Sequence, residues 1–269
     1  MRVKTAVGVV MLVVLGVAGV DAQPAKRVPK KKPKDISAEI TALGGTDLPG
    51  AARAAQLLGT YDLPAAHEAL LDALAFGLAP EVAVPAVLAI AGRPAAPDVP
   101  ALRRYAGHRN PTVRSAALSA LASYGGAGPA LVAGLKDPVA TVRAAAAAAA
   151  GKGRVREAVD PLMLLLAKGE DAAGRALAAI ADLDLSRKIA DQFGKVPDPV
   201  LAACLGAILK RPDFTDPARV EIVRAIGKIQ DPAAITVLTD YLDSTPKTPK
   251  RTSRDEAQLI VDARLGGGK

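Results

Sequence analysis

The chain has 269 residues and a formal net charge of +8; half of its residues are hydrophobic, but only 3% are aromatic. With no Trp, three Phe and four Tyr, it lacks the aromatic platforms on which single-stranded nucleic acids and sugars stack. Its single cysteine, Cys204, excludes an intramolecular disulfide framework, and the apolar residues around it predict a buried thiol.

The first residues follow the pattern of a targeting signal. Arg2 and Lys4 precede an uncharged run at 5–20, and a cleavage site with small residues ends at Ala22. Because the run is shorter than the roughly 20 apolar residues of a spanning helix, we predict a signal peptide at 1–22. An uncleaved N-terminal membrane anchor is the alternative. The many Ala, Arg, Gly and Pro residues indicate a bacterial chain, so the exported protein is expected to be periplasmic or secreted.

A basic, Pro- and Lys-rich segment follows at 23–36 and carries most of the excess charge, since the chain after it is nearly neutral. Its composition predicts a flexible, extended tail. The tail is either a solvated spacer or a contact to an anionic surface such as lipid headgroups or cell-wall polymer. The cations expected to make that contact are Lys30, Lys31, Lys32 and Lys34.

From residue 37 onward, Pro, Gly and Asp separate short segments whose apolar residues follow a period of about 3.6. This pattern predicts a series of helices, and no alternating β-branched run predicts a sheet. In chain order, the predicted helices are 51–58, 64–76, 80–91, 97–106, 111–124, 138–150, 157–168, 171–181, 188–193, 199–210, 217–229, 233–242 and 255–265. The Gly-rich end at 266–269 is predicted to be disordered.

One motif recurs in this series: Asp or Asn, then Pro, then a Val-Arg pair followed by small apolar residues. Its clearest copies begin at Asn110 and Asp137, and their Val-Arg pairs, which end in Arg114 and Arg143, are 29 residues apart. Repeats of this length predict a stacked fold in which each helix pair buries its apolar face against the next pair.

This motif, followed by Ala-Ala and a Gly stop, resembles the HEAT-repeat family in its short bacterial form, also described as bilin-lyase-type repeats. The resemblance covers about 37–265 and is most specific at 108–151. It implies an all-α fold, a right-handed α-solenoid of stacked antiparallel helix pairs. It also implies that the turn residue Asp137 and the helix residues Arg114 and Arg143 form a ladder between adjacent repeats.

The residues that usually carry catalysis are scattered. The histidines, His67 and His108, are 41 residues apart, and Leu71 stands where a zinc-protease motif starting at His67 needs its second histidine. There is no cysteine pair to hold a metal and no nucleophile motif. We therefore expect a protein that is not an enzyme and has no cofactor or metal.

A basic zone occupies residues 99–156, which contain nine cations and one acidic residue, Asp137. Arginine is suited to a bidentate grip on carboxylates and phosphates. Because the ladder uses Arg114 and Arg143, the other arginines of the zone are the candidates for binding an acidic protein partner. These candidates are Arg103, Arg104, Arg109, Arg154 and Arg156. Scattered, solvated charge is the alternative interpretation.

The sequence thus favours an exported scaffold that binds another protein along its solenoid surface. One alternative is an adaptor tethered to the cell envelope by its Lys/Pro tail. Another, implied by the resemblance, is an auxiliary protein of the chromophore-lyase type, although that role is intracellular and export argues against it. Nucleic-acid binding is not expected, because the folded part is nearly neutral and poor in aromatic residues.

Overall fold

The computed structural model of the protein describes residues 35–266. The predicted signal peptide, the tail lysines and the last three residues lie outside this range. The chain divides into two units, 1–35 and 36–269, and the architecture given below is that of the second unit. No helix among the described residues is long and apolar enough to cross a membrane.

Across residues 35–266 the chain forms 15 α-helices and one 3-10 turn at Arg156–Ala158, without a β-strand. The helices are α1 (Ser37–Leu43), α2 (Leu48–Thr60), α3 (Pro64–Phe76), α4 (Pro80–Ala91), α5 (Asp98–Ala106), α6 (Pro111–Leu121), α7 (Gly128–Gly134), α8 (Ala140–Lys152), α9 (Val159–Ala167), α10 (Asp171–Ile180), α11 (Leu183–Ala190), α12 (Asp198–Leu209), α13 (Asp216–Lys228), α14 (Pro232–Ser244) and α15 (Thr252–Gly266).

Proline sets the start of many of these helices. Pro64, Pro80 and Pro111 are the first residues of α3, α4 and α6, because the fixed φ of proline suits a position whose N–H has no partner within the helix. Asn110 adds an N-cap to α6, where its side-chain oxygen accepts a hydrogen bond from the N–H of Thr112 at 2.9 Å. The predicted bounds of α3 and α4 are confirmed for this reason.

Other bounds differ from the predicted ones. The helices α1 and α7 have only seven residues each, too few for their apolar periodicity to stand out. The sequence predicts that α2 stops before Gly59, but α2 continues to Thr60. Gly59 is the point of contact with α4, and a Cβ there would lie 2.6 Å from the Cβ of Ala89. The helix predicted at 188–193 begins earlier, since Asp182 caps α11 through the N–H of Leu185.

The helices form two layers. The even-numbered helices from α2 to α14 contact one another in chain order and form what we call the inner layer, and the odd-numbered helices form the outer layer. Each odd-numbered helix from α1 to α13 also packs against the even-numbered helix that follows it, so that successive helix pairs stack in one direction. The predicted all-α solenoid of stacked helix pairs is confirmed.

Small residues allow the inner helices to approach closely. Ala146, Ala147 and Ala150 of α8 are buried, with exposed fractions of 1% or less. A Cβ at Gly151 would lie only 2.9 Å from the Cα of Ala176 in α10, a distance that real Cβ atoms do not adopt. The alanine-rich segment is therefore a packing surface between repeats.

The connections of the stack lie at two opposite edges, because the helices of each pair run in opposite directions. Loops that lead from an odd-numbered helix to the next even-numbered one form the first edge; they are 44–47, 77–79, 107–110, 135–139, 168–170, 191–197 and 229–231. Loops that lead from an even-numbered helix to the next odd-numbered one form the second edge; they are 61–63, 92–97, 122–127, 153–155, 181–182, 210–215 and 245–251.

The single cysteine lies in the core, as predicted. Cys204 of α12 is 2% exposed, and its Sγ lies 3.3 Å from the carbonyl oxygen of Gly174 in α10. Burial raises the pKa of the Cys204 thiol to about 12, so the reactive thiolate is almost absent at neutral pH.

We expect Cys204 of the folded protein to resist an aromatic disulfide reagent at pH 8 and to react within seconds in denaturant. Absorbance of the released thiolate measures both rates. Rapid, complete reaction of the folded chain would show that α10 and α12 separate readily at this point, contrary to the packing described here.

Candidate protein-binding surface

An arginine ladder ties successive loops of the first edge together. Nε and Nη2 of Arg114 donate to the two carboxylate oxygens of Asp137 at 2.8 and 2.9 Å. Nη1 of Arg114 donates to the carbonyl oxygens of His108 and Arg109 at 2.9 and 3.0 Å. One guanidinium therefore fixes loop 107–110 against the neighbouring loop that contains Asp137. The hydrogen bonds from Arg114 hold the pKa of Asp137 below its usual range.

Arg143 forms the second rung. Its Nη2 lies 2.7 Å from a carboxylate oxygen of Glu170, and its Nη1 donates to the carbonyl oxygens of Asp137 and Pro138 at 2.9 and 3.0 Å. Loops 135–139 and 168–170 are thereby joined. The sequence places Arg114, Asp137 and Arg143 in a ladder and the structure brings them together, but Glu170 was not foreseen because it does not stand before a Pro as Asp137 does.

The structure does not bring the candidate partner-binding arginines together. Arg103 donates to the carbonyl oxygen of Gly126 on the second edge at 2.6 Å. Arg154 and Arg156 also lie at the second edge, whereas Arg104 and Arg109 lie at the first. Loops that follow one another in the chain alternate between edges, so the basic zone of the sequence is divided between opposite sides of the solenoid.

Several of these arginines have partners within the chain. Arg104 donates to the carbonyl oxygens of Leu74 and Ala75 at the end of α3, a favourable place for a cation near a helix C-terminus. Nη2 of Arg156 lies 2.8 Å from a carboxylate oxygen of Asp182. Together with the Arg103 bond, these contacts hold successive repeats in register, a role that the sequence did not reveal.

Arg109 and Arg154 differ from the other candidates. Both are exposed, and within residues 35–266 neither side chain makes a hydrogen bond or an ion pair. On the first edge, Lys136 is a second exposed cation without such a partner in this part of the chain. Because Arg114 binds the backbone of Arg109 and the side chain of Asp137, it fixes the loops from which Arg109 and Lys136 project.

A small pocket lies on the same edge, between loops 77–79 and 107–110. It has a volume of about 300 Å³ and is lined by Gly77, Leu78, Arg104, Tyr105 and His108. The rings of Tyr105 and His108 stack with their centroids 6.0 Å apart. We call Arg109, Lys136 and this pocket the first-edge surface. It is locally basic, because the ladder arginines already neutralise Asp137 and Glu170.

A buried polar cluster lies away from this surface. Asp98 is completely buried; it accepts hydrogen bonds from Oη of Tyr124 at 2.7 Å and from the N–H of Ala95 at 2.8 Å, and lies 2.6 Å from Nε2 of His67. Burial and the hydrogen bond to Asp98 raise the pKa of Tyr124 above its ordinary range. The cluster links α3, the start of α5 and the segment after α6.

A carboxylate that orients a histidine is also an arrangement found in catalytic sites. His67 lines a pocket of about 360 Å³, but no Ser, Thr or Cys is among the residues that line it. Nor does any group of acidic, His or Cys side chains among the described residues have a geometry that could hold a metal ion. The geometry therefore points to a polar junction between repeats, since a buried carboxylate needs such partners.

A comparison with protein-family models matches the part of the chain that contains the ladder arginines and the Asp98 cluster. The family model described as HEAT repeats matches residues 67–151. This part of the chain is similar to HEAT repeats. The match includes both ladder arginines, the first-edge surface and the Asp98 cluster, and the other helix pairs extend the same stack in both directions. No curated protein sequence matches the chain.

Solved structures with similar helical stacks share little sequence with this chain. The complex of CpcE and CpcF of phycocyanin lyase from Nostoc sp. PCC7120 is 20% identical over 91% of this chain and 99% of that chain, with a TM-score of 0.48. The karyopherin Kap121p bound to the extreme C-terminus of the protein phosphatase Cdc14p is 14% identical over 84% and 29%, with a TM-score of 0.47. An engineered protein is 20% identical over 88% and 98%, with a TM-score of 0.36.

Proposed function

We propose that this HEAT-repeat protein is a non-enzymatic scaffold that binds an acidic segment of another protein on its first-edge surface. The observation that carries the proposal is the pair formed by Arg109 and Lys136. Both cations are exposed on loops that the Arg114–Asp137 rung fixes, and neither is used inside the described part of the chain. A basic surface on rigid loops is suited to an acidic partner.

The spacing of the repeats indicates the shape of the bound segment. Adjacent helices pack about 8–10 Å apart, which is about three residues of an extended chain at roughly 3.3 Å each. An extended segment with acidic residues about three positions apart can therefore meet Arg109 and Lys136 together. Because the rung already fixes the loops, binding costs little additional ordering of the scaffold.

The proposal narrows the set of binding residues expected from the sequence. Arg109 remains in it, and Arg104 contributes through the pocket that it lines. Arg154 lies at the opposite edge and cannot contact the same short segment, while Arg103 and Arg156 are used to hold the repeats in register. Lys136 enters the set because the Arg114–Asp137 rung joins its loop to that of Arg109.

Charge reversal tests the proposal. Arg109→Glu with Lys136→Glu is expected to abolish recovery of the partner with the tagged protein from crosslinked cells, because two attractive contacts become repulsive. The matched control is Arg154→Glu with Lys188→Glu, which makes the same charge change at exposed residues outside the first-edge surface. Equal recovery with both double variants would show that the first-edge surface is not the binding site.

Export and tethering remain part of the proposal. The order of basic residues, apolar run and cleavage site at 1–22 supports export to the periplasm or the medium. The tail lysines support contact with an anionic membrane or cell wall. Fractionation of cells that produce a variant with Ser at positions 30, 31, 32 and 34 tests that contact: release from the envelope is expected, and unchanged fractionation would exclude it.

The second candidate function is that of an auxiliary protein of the chromophore-lyase type, because the repeats resemble that family and the CpcE–CpcF complex of phycocyanin lyase is a similar stack. Incubation with a bilin and measurement of visible absorbance tests it. A stable absorbance band on the protein would favour this role over that of a simple scaffold.

A further inference from the structure

An apolar groove lies at the start of the stack and shares Gly77 and Leu78 with the pocket of the first-edge surface. It has a volume of about 710 Å³, and α1, the start of α2, α3 and the beginning of α4 contribute to its walls. Ile40 and Leu48 in its lining are 41% and 39% exposed. Within residues 35–266 this end of the stack thus presents an apolar face, whereas the terminal units of a solenoid usually present a polar one.

Phe76 stands at the rim of this groove. It is the last residue of α3 and is 95% exposed, the highest value among the large hydrophobic residues described. Ala65, Ala69 and Ala73 line the groove along the same helix. The end of the solenoid therefore carries a protruding aromatic ring beside an apolar depression with small residues at its base.

The charges around these features are complementary. Glu68 and Asp72 are exposed acidic residues in the lining of the groove. Arg104 lies beside Phe76, because its guanidinium donates to the carbonyl oxygen of the preceding residue, Ala75, at 3.1 Å. The protruding side of the surface is thus basic, and the recessed side is acidic.

We propose that a second copy of this chain covers the groove, with Phe76 of each copy inserted into the groove of the other. A two-fold axis brings one patch against itself, so it needs a surface whose protrusions and depressions match. Phe76 and the groove provide the match in shape, and Arg104 facing Glu68 of the other copy provides the match in charge. This assembly goes beyond the proposed binding of an acidic partner and leaves Arg109 and Lys136 free for it.

The expected dimer is weak. Two inserted phenylalanines bury about 300–500 Å² themselves, and stable interfaces bury about 1,200–2,000 Å² in total. If the groove walls bury an equal area, the total buried area still does not exceed the lower limit of this range. The protein should therefore change from monomer to dimer as its concentration rises.

Sedimentation velocity of the full chain over a wide concentration range tests the proposal. Phe76→Ala is expected to weaken dimerisation by about tenfold or more, as truncation of a central aromatic usually does. Phe193→Ala is the matched control, because Phe193 is 47% exposed and far from the groove along the chain. Its dimerisation should equal that of the unmodified chain. A chain that stays monomeric at all concentrations, or dimerises equally without Phe76, would overturn the proposal.

Mixing two defective variants tests the mutual insertion itself. Ala69→Phe fills the groove but keeps the ring of Phe76, and Phe76→Ala keeps the groove but lacks the ring. Each variant alone is expected to be monomeric, whereas the mixture restores one of the two insertions and forms a heterodimer. Failure of the mixture to associate, with both variants folded by circular dichroism, would exclude this mode of assembly. The acidic partner should bind the monomeric variants normally, which separates this test from that of the proposed function.

Discussion

Replacing Asp98 with alanine is expected to lower the free energy of unfolding by at least about 1–3 kcal/mol, the cost of leaving a buried hydrogen-bonding group without its partner. Asp98 is completely buried and accepts hydrogen bonds from the side chain of Tyr124 and the backbone of Ala95. Its loss leaves these partly buried donors and His67 without their partner. Urea denaturation followed by circular dichroism measures the change.

The surface residue Asp62 provides the control. Its side chain is 99% exposed and lies 3.2 Å from Arg93, a contact that water screens. Asp62→Ala should leave the denaturation midpoint unchanged. If the midpoint of Asp98→Ala also stayed within experimental error of the original, the three-way junction of α3, α5 and the segment after α6 would not be a source of stability.

Replacing Gly151 with valine should destabilise the chain by about 1–3 kcal/mol or more, as overpacking of a filled interior does. Gly151 faces the backbone of α10, and a Cβ there would lie 2.9 Å from the Cα of Ala176. Backbone atoms cannot move aside as a flexible side chain can, so α8 and α10 must separate. Thermal unfolding monitored by circular dichroism measures the effect.

Ala148→Val is the matched control on the same helix. Ala148 is exposed in α8, so the added methyl groups meet solvent and only the lower helix propensity of valine matters. The Gly151 variant should unfold well below the Ala148 variant. Equal unfolding temperatures would mean that the close approach of α8 and α10 is not required for stacking.

The fold could be predicted because its determinants are local. Two signals can be recognised in the sequence alone: proline at a first helical turn and the 29-residue spacing of the Val-Arg pairs. The short helix α7 was missed because Gly128 and Gly134 enclose it and its apolar pattern has no room to repeat. Local sequence signals therefore predict the layers and their stacking more reliably than they predict the shortest helices.

The site was harder to predict because its contacts connect distant parts of the chain. Asp98 and His67 are 31 residues apart, and no sequence motif indicates that their side chains are in contact. Glu170 completes a rung of the ladder 27 residues after Arg143 without the Pro that marks Asp137. Such contacts follow from the offset between repeats, which the sequence alone does not determine.

The distribution of arginines shows why a basic zone of a repeat sequence is not a basic surface. Arg211 donates to the carbonyl oxygen of Ala178 at 2.7 Å, and Arg264 donates to that of Gly227 at 2.6 Å. In each case the arginine and the carbonyl group that it binds are separated in the chain by about the length of one repeat. The same is true of Arg103 and Arg104 and their carbonyl partners. Arginine in this solenoid often satisfies the carbonyl groups at the end of a neighbouring helix, so cations that cluster in the sequence do not by themselves form a binding surface.

The most direct test of the account places a photoreactive side chain at position 112. Thr112 is exposed in the first turn of α6, close to Arg109 in the chain. In intact cells, we expect illumination to link the protein to one partner, and Arg109→Glu with Lys136→Glu to remove that product. Arg154→Glu with Lys188→Glu should preserve it. A crosslink that persists when Arg109 and Lys136 are reversed would contradict the assignment of the first-edge surface as the binding site.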